Sequence, residues 1–136
     1  MKPRLVVLLC VLALALALAG CTKAPETKAV LTAELPSPSV KTGAHTVLYV
    51  DGLNNGGKEL SVGFDIKPRN PEAVTITYPG ELAYVIRPQE TTGRKVVTVT
   101  ATTGAERSDY AIDIILKDLK ANTELDKKTV VLSVSK

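Results

Sequence analysis

From Leu60 to Ile66 the chain alternates without a break: Leu60, Val62, Phe64 and Ile66 fall on one phase, Glu59, Ser61, Gly63, Asp65 and Lys67 on the other. A period of two places successive side chains on opposite faces of an extended backbone, so this stretch predicts a strand with one face buried and one wet. The same phase recurs as Tyr110, Ile112, Ile114 and Leu116, and again as Val130, Leu132 and Val134. Further strands are expected at 29–35, 45–53, 73–78, 82–88 and 94–102, all rich in Val, Ile, Thr or Tyr. Between them stand the turn formers PSPS at 36–39, NNGG at 54–57, PRNPE at 68–72, PG at 79–80, TTG at 91–93 and TTGAERSD at 102–109. The spacing predicts an all-β antiparallel sandwich of seven to eight strands, with NNGG closing a hairpin between sequence neighbours. The segment 116–128, LKDLKANTELDKK, has no good apolar stripe and is expected to be a connection.

The N-terminus follows another rule. Lys2 and Arg4 precede an uncharged run from Leu5 to Ala19, which suits the apolar region of an export signal. At fifteen residues it is short of the roughly 20 that a spanning helix needs to cross a ~30 Å apolar core. The run ends in Leu18-Ala19-Gly20-Cys21, which resembles the lipobox of bacterial lipoproteins. That resemblance covers about the first 21 residues. It implies a signal helix over 1–20 removed between Gly20 and Cys21, a diacylglyceryl group on the Cys21 thiol, a short polar tether over 22–28 and a folded domain over 29–136. Each buried CH₂ contributes about 0.8 kcal/mol, so two or more acyl chains hold a protein stably on a bilayer. The implied location is extracytoplasmic, on the outer face of the cytoplasmic membrane or on the outer membrane; Thr22 after the cysteine leans towards the latter. Membrane lipid, through acylated Cys21, is the first expected partner, and an envelope protein is a possible second one.

Without residues 1–20, 116 residues remain, with 15 Lys+Arg against 14 Asp+Glu, and the formal charge falls from +3 to +1. A nearly neutral domain with no basic cluster offers no electrostatic footprint for nucleic acid. Cys10 leaves with the signal and Cys21 is taken by lipid, so no internal disulfide is available and apolar burial must hold the fold.

Serine 108, Asp109 and Tyr110 resemble the start of the penultimate strand of immunoglobulin-like domains, where the tyrosine hydroxyl returns to upstream backbone as a tyrosine corner; an ordinary inward-facing tyrosine is the other reading. The stretch from Tyr110 through Asp118 and Asn122 to Val134 is also similar to the closing hairpin of fibronectin type III-like modules. This implies an immunoglobulin-like architecture and no particular activity.

Catalytic and metal-binding groups are sparse. His45 is the single histidine, and a Ser–His hydrolase would need it to meet a distant serine and a carboxylate. No GxSxG, SxxK, CxxC or HExxH pattern occurs. Asp109 and Asp113 share a strand face at ~13 Å, beyond the ~5–9.5 Å of a glycosidase pair; Asp65 with Asp113 depends on register. Asp118, Asn122, Glu124 and Asp126 are oxygen ligands of the kind calcium takes, but Lys120 and Thr123 stand where an EF-hand loop needs an acid and a glycine. No catalytic residue, metal or cofactor is expected. Val85, Ile115 and Val131 lie on phases that should be wet, either as scattered exposure or as part of a docking face. The expected role is a non-catalytic binding or spacer module of the envelope, using sheet edges or end loops such as TTGAERSD, or else an accessory subunit of a larger assembly.

Overall fold

The computed structural model describes residues 28–78 and 80–136; residues 1–20, Cys21 and most of the tether lie outside that range. Nine strands follow in chain order: β1 (Ala29–Glu34), β2 (Ser39–Lys41), β3 (His45–Asn54), β4 (Leu60–Pro68), β5 (Val74–Thr77), β6 (Ala83–Ile86), β7 (Lys95–Ala101), β8 (Ser108–Asp118) and β9 (Thr123–Ser135). They form two sheets, β1-β3-β7-β5 and β2-β9-β8-β4-β6. Every pairing is antiparallel except β2 with β9. The all-β sandwich expected from the alternation is the observed architecture.

Its core is made by the phases read from the sequence. Val62 and Phe64 of β4, Ile112, Ile114 and Leu116 of β8, and Leu132 and Val134 of β9 are buried from the second sheet. Leu31, Leu48, Val50, Val97 and Val99 meet them from the first. Along β3 the inward phase is Thr46, Leu48, Val50, Gly52 and Asn54, which leaves Val47 and Tyr49 half-buried on the outside. Gly52 is required to be small: a Cβ there would lie 3.1 and 3.3 Å from the two Leu116 methyls arriving from the opposite sheet.

Three expectations are corrected. NNGG does not close a hairpin, because β3 and β4 belong to different sheets. Both flanks of β3 are already taken, six residues by β1 and six by β7. The loop therefore crosses the sandwich, and Asn54, fully buried, anchors it by donating to the Lys58 and Ile86 carbonyls and accepting from the Gly56 amide.

The segment 116–128 is a strand hairpin rather than a connection. β8 runs to Asp118, whose Oδ1 accepts the Lys120 and Ala121 amides at 2.9 and 3.1 Å and so builds the turn locally. Asn122 takes a left-handed φ of 51°, and β9 returns from Thr123. A bulge lies where Leu116 pairs with Asp126 but Lys117 pairs with Glu124. The extra residue, Leu125, breaks the period of two and hides the strand from a reading by alternation.

The third correction is β2, a three-residue strand that begins at Ser39, the last residue of what reads as the turn PSPS. It also brings the count to nine and adds a parallel pair. Pro36 and Pro38 lack the amide donors of a central strand but suit an edge. The Pro38 carbonyl accepts the Ser133 amide at 2.7 Å.

The other edge on this side, β1, is closed in a different way. Asp126 of β9 reaches across and accepts the Leu31 amide at 2.8 Å, which occupies a donor that would otherwise invite another strand.

Candidate functional site

A shallow open cleft of about 560 Å³ lies at one end of the second sheet, lined by Ser39, Arg107, Ser108, Asp109, Ser133, Val134 and Ser135. Cross-strand register builds it. Ser39 of β2 pairs with Ser133 of β9, which pairs with Asp109 of β8. Val134 and Leu132 point inward into the core, so Ser133 and its two partners point out. Further towards the end of the sandwich, Ser135 pairs with Lys41, and Arg107, in the loop just before β8, lines the same cleft. Asp109 accepts the Ser133 hydroxyl at 2.6 Å. Beneath the rim, the Tyr110 hydroxyl donates to the Glu106 carbonyl at 3.0 Å, four residues upstream. That is the tyrosine corner, and it fixes the loop carrying Arg107 to the first turn of β8.

Arg107, like Arg87, makes no ion pair among the described residues, whereas Arg69 and Arg94 do. Arg69 holds Asp113 at 3.0 Å and Arg94 holds Glu34 at 2.9 Å, while Lys67 and Lys117 both hold Asp65, at 2.8 and 3.2 Å. Arg94 also lies 3.7 Å over the Tyr49 ring.

The carboxylates considered as catalytic or calcium-binding groups are engaged in other contacts. Asp65 faces Ile115, and Asp113 faces Lys67 and Thr129 in register. Each belongs to its own ion pair, so they do not act together as acid and base. The Arg69 guanidinium, with help from the Thr129 hydroxyl, pulls the Asp113 carboxyl down to about 2. Burial pushes Asp65 up, but its hydrogen bonds to Lys67 and Lys117 outweigh this and leave it below the ordinary value. Of the calcium candidates, Asp118 caps the 119–122 turn, Asp126 caps β1, and Glu124 is exposed on β9. Among the described residues no three His, Cys, Asp or Glu side chains converge on a metal position.

A lowered carboxyl pKa in the folded state means that the fold gains from ionisation above the unfolded value of 3.8, and loses that gain as pH falls through the folded value of about 2. Arg69→Gln removes the main cause of the shift. Its stability, followed by urea unfolding at stepped pH, should therefore fall less steeply than wild type between about pH 4 and pH 2. An unchanged slope would show that the Arg69–Asp113 pair is not formed in solution.

His45 is exposed at the start of β3, opposite Thr100 on the outer face of the first sheet. Ser39, Ser133, Ser135 and Asp109 of the cleft are on the outer face of the second sheet, with the core between. The single histidine and the cleft are thus on opposite sides of the sandwich, and His45 does not meet the cleft serines.

The wet-phase apolar residues do not merge on the second sheet. Val131 sits beside Ala111, Val85 lies on the far edge strand β6, and Ile115 is flanked in register by Lys127 and Asp65. On the first sheet Val96 stands opposite Tyr49, under Arg94.

No protein-family model and no curated protein sequence matches the chain. Solved structures do match its shape. A FixG-related protein from Vibrio parahaemolyticus superposes with a TM-score of 0.62 at 12% identity, over 80% of this chain and 98% of that one. The part of Escherichia coli alpha-2-macroglobulin from domain MG7 to the C-terminus gives 0.60 at 18% identity, over 80% of this chain and 17% of that one. AvmM, described as catalysing macrocyclization in alchivemycin A biosynthesis, gives 0.61 at 9% identity, over 82% and 90% of the two chains. At such identities the likeness is one of fold alone. The chain is an immunoglobulin-like β-sandwich of the kind seen in the macroglobulin domains, and it spans only a small fraction of the macroglobulins themselves.

Sequence reasoning pointed to the TTGAERSD loop, which supplies Arg107, Ser108 and Asp109. It missed Ser39, because β2 was read as a turn, and it gave Ser133 and Ser135 no role. The only signal for these two was their place on the wet phase of the last strand.

Proposed function

We propose that this chain is a lipid-anchored, non-catalytic binding module of the bacterial cell envelope, cleaved before Cys21 and held by that residue's acyl groups at the outer face of the cytoplasmic membrane or at the outer membrane. The observation that carries the reading is polarity along the strands. β1 begins at Ala29, opposite Asn54 at the C-terminal end of β3, whereas the cleft lies beside Thr42 and Ala44, at the other end of β3. Ten residues of β3 separate the two ends by about 30 Å. A lipid on Cys21 with a seven-residue tether reaching at most ~25 Å would leave the sandwich near the headgroups with its cleft facing away from them.

The macroglobulin-type fold is consistent with a module that does no chemistry, and the polar outer face of the second sheet favours an independent unit over an accessory subunit that needs a large apolar contact. Fractionation and pull-down test the reading together. Wild type is expected in the membrane fraction, where it co-purifies with envelope material after detergent extraction. Cys21→Ser is expected to lose both membrane attachment and that recovery. Equal membrane attachment of the two forms would refute the anchor; attachment with nothing reproducibly co-purified would refute the binding role.

A further inference from the structure

The cleft has a definite chemistry. Ser39 and Ser133 stand side by side on neighbouring strands, with Ser135 two residues further along β9 on the same outward surface, and Ser108, in register with inward-facing Val134, also lines the cleft. Asp109 is a hydrogen-bond acceptor already oriented by Ser133. Lys41 pairs with Ser135 in register, Arg107 lines the cleft together with Ser135, and neither cation makes an ion pair among the described residues. Neighbouring strands are about 4.8 Å apart, so Lys41 stands one strand from Ser135, and with Arg107 in the cleft lining two cations are available to a single anion. Arg69 and Arg94 are matched by carboxylates, whereas Arg107 lines the cleft without an ion pair among the described residues. Guanidinium is the side chain best suited to grip a carboxylate or phosphate with two parallel hydrogen bonds. The site is too open and too polar for an apolar ligand, and no aromatic side chain lines it.

We propose that the cleft binds an anionic saccharide, a hydroxyl-rich ring bearing a phosphate or carboxylate, with the anion held by Arg107 and Lys41 and the ring hydroxyls by Ser39, Ser133, Ser135 and Asp109. The proposal rests on the envelope-module reading for the source of the ligand, an acidic envelope glycan presented away from the anchoring membrane; the recognition chemistry stands without it.

The test is an NMR titration of the full chain in detergent micelles, following backbone amides with glucose 6-phosphate, glucuronate, glucose and inorganic phosphate as probes. Both anionic sugars are expected to shift the amides of Ser39, Ser108, Ser133 and Ser135 saturably, and glucose to bind at least about tenfold more weakly, since a charge-assisted hydrogen bond contributes that much. Arg107→Gln is expected to weaken glucose 6-phosphate by about tenfold or more, while Arg69→Gln, which removes a paired arginine on the same sheet, leaves it unchanged. Ser133→Ala is expected to weaken glucose 6-phosphate and leave inorganic phosphate unaffected. Raising the salt concentration weakens the anionic ligands only.

Absence of saturable shifts with either anionic sugar overturns the proposal, as does equal affinity for inorganic phosphate and glucose 6-phosphate, which would reduce the cleft to a plain anion site. Insensitivity to Arg107→Gln would place the binding elsewhere. The same titration on Cys21→Ser separates this claim from the anchor: cleft binding is expected to be identical with and without the lipid.

Discussion

Replacing Asn54 with alanine is expected to destabilise the domain by about 3 kcal/mol or more, read as a lower urea midpoint with an unchanged m-value. The side chain is fully buried and makes three hydrogen bonds: to the Lys58 carbonyl at 2.8 Å, to the Ile86 carbonyl at 2.9 Å and from the Gly56 amide at 3.0 Å. Its own backbone exchanges hydrogen bonds with Glu90 and Gln89. One residue therefore ties the end of β3 to the start of β4 and to the loop after β6, across both sheets. Each neutral bond contributes about 1 kcal/mol, and a buried carbonyl or amide left without a partner costs about 1–3 kcal/mol. Asn54→Asp should be no better, since it exchanges both donors for a buried charge. A loss below about 1 kcal/mol for the alanine variant would mean that water satisfies these groups and that the crossing loop is held by something else.

Leu116→Ala is expected to cost about 3–4 kcal/mol, in the range of a fully buried leucine whose cavity cannot collapse. The cavity is kept open from the other sheet by the backbone at Gly52, which the leucine methyls approach closely. Gly52→Ala alone should cost about 1 kcal/mol or more by overpacking. In the double variant the new methyl fills part of the space that Leu116 leaves, so the combined loss should be smaller than the sum of the two single losses by at least about 0.5 kcal/mol. Strict additivity would contradict the contact between the sheets that this pair defines.

Both residues show where a sequence can be read and where it cannot. The inward phases of β4, β8 and the end of β9 were legible because burial on one face imposes a period of two, and Leu60 to Ile66 keeps it without interruption. Gly52 and Asn54 occupy the same kind of inward position on β3, yet neither is apolar, and only the fold reveals that one must be empty and the other must hydrogen-bond. NNGG suggested a hairpin because local turn chemistry does not encode which sheet the next strand joins. The first half of β9 escaped because Leu125, bulged opposite the Leu116/Lys117 step, shifts the phase, and because its exposed face carries Glu124, Lys127 and Lys128. β2 escaped because three residues directly after Pro38 make no periodic signal.

The cleft was half legible. Tyr110 marked the corner that holds its loop, and that feature is local, four residues from hydroxyl to carbonyl. Its other members come together through β2, β9 and β8 pairing over nearly a hundred residues of chain, and no short motif records such a meeting.

The reading as an envelope module depends most on the fate of the N-terminus. Intact mass spectrometry of the protein extracted from membranes tests it directly. The account predicts a chain that starts at Cys21 and carries the added mass of a diacylglyceryl group, with or without a further acyl chain on the new amine. A polypeptide still carrying residues 1–20, or one starting at an unmodified residue, would contradict it.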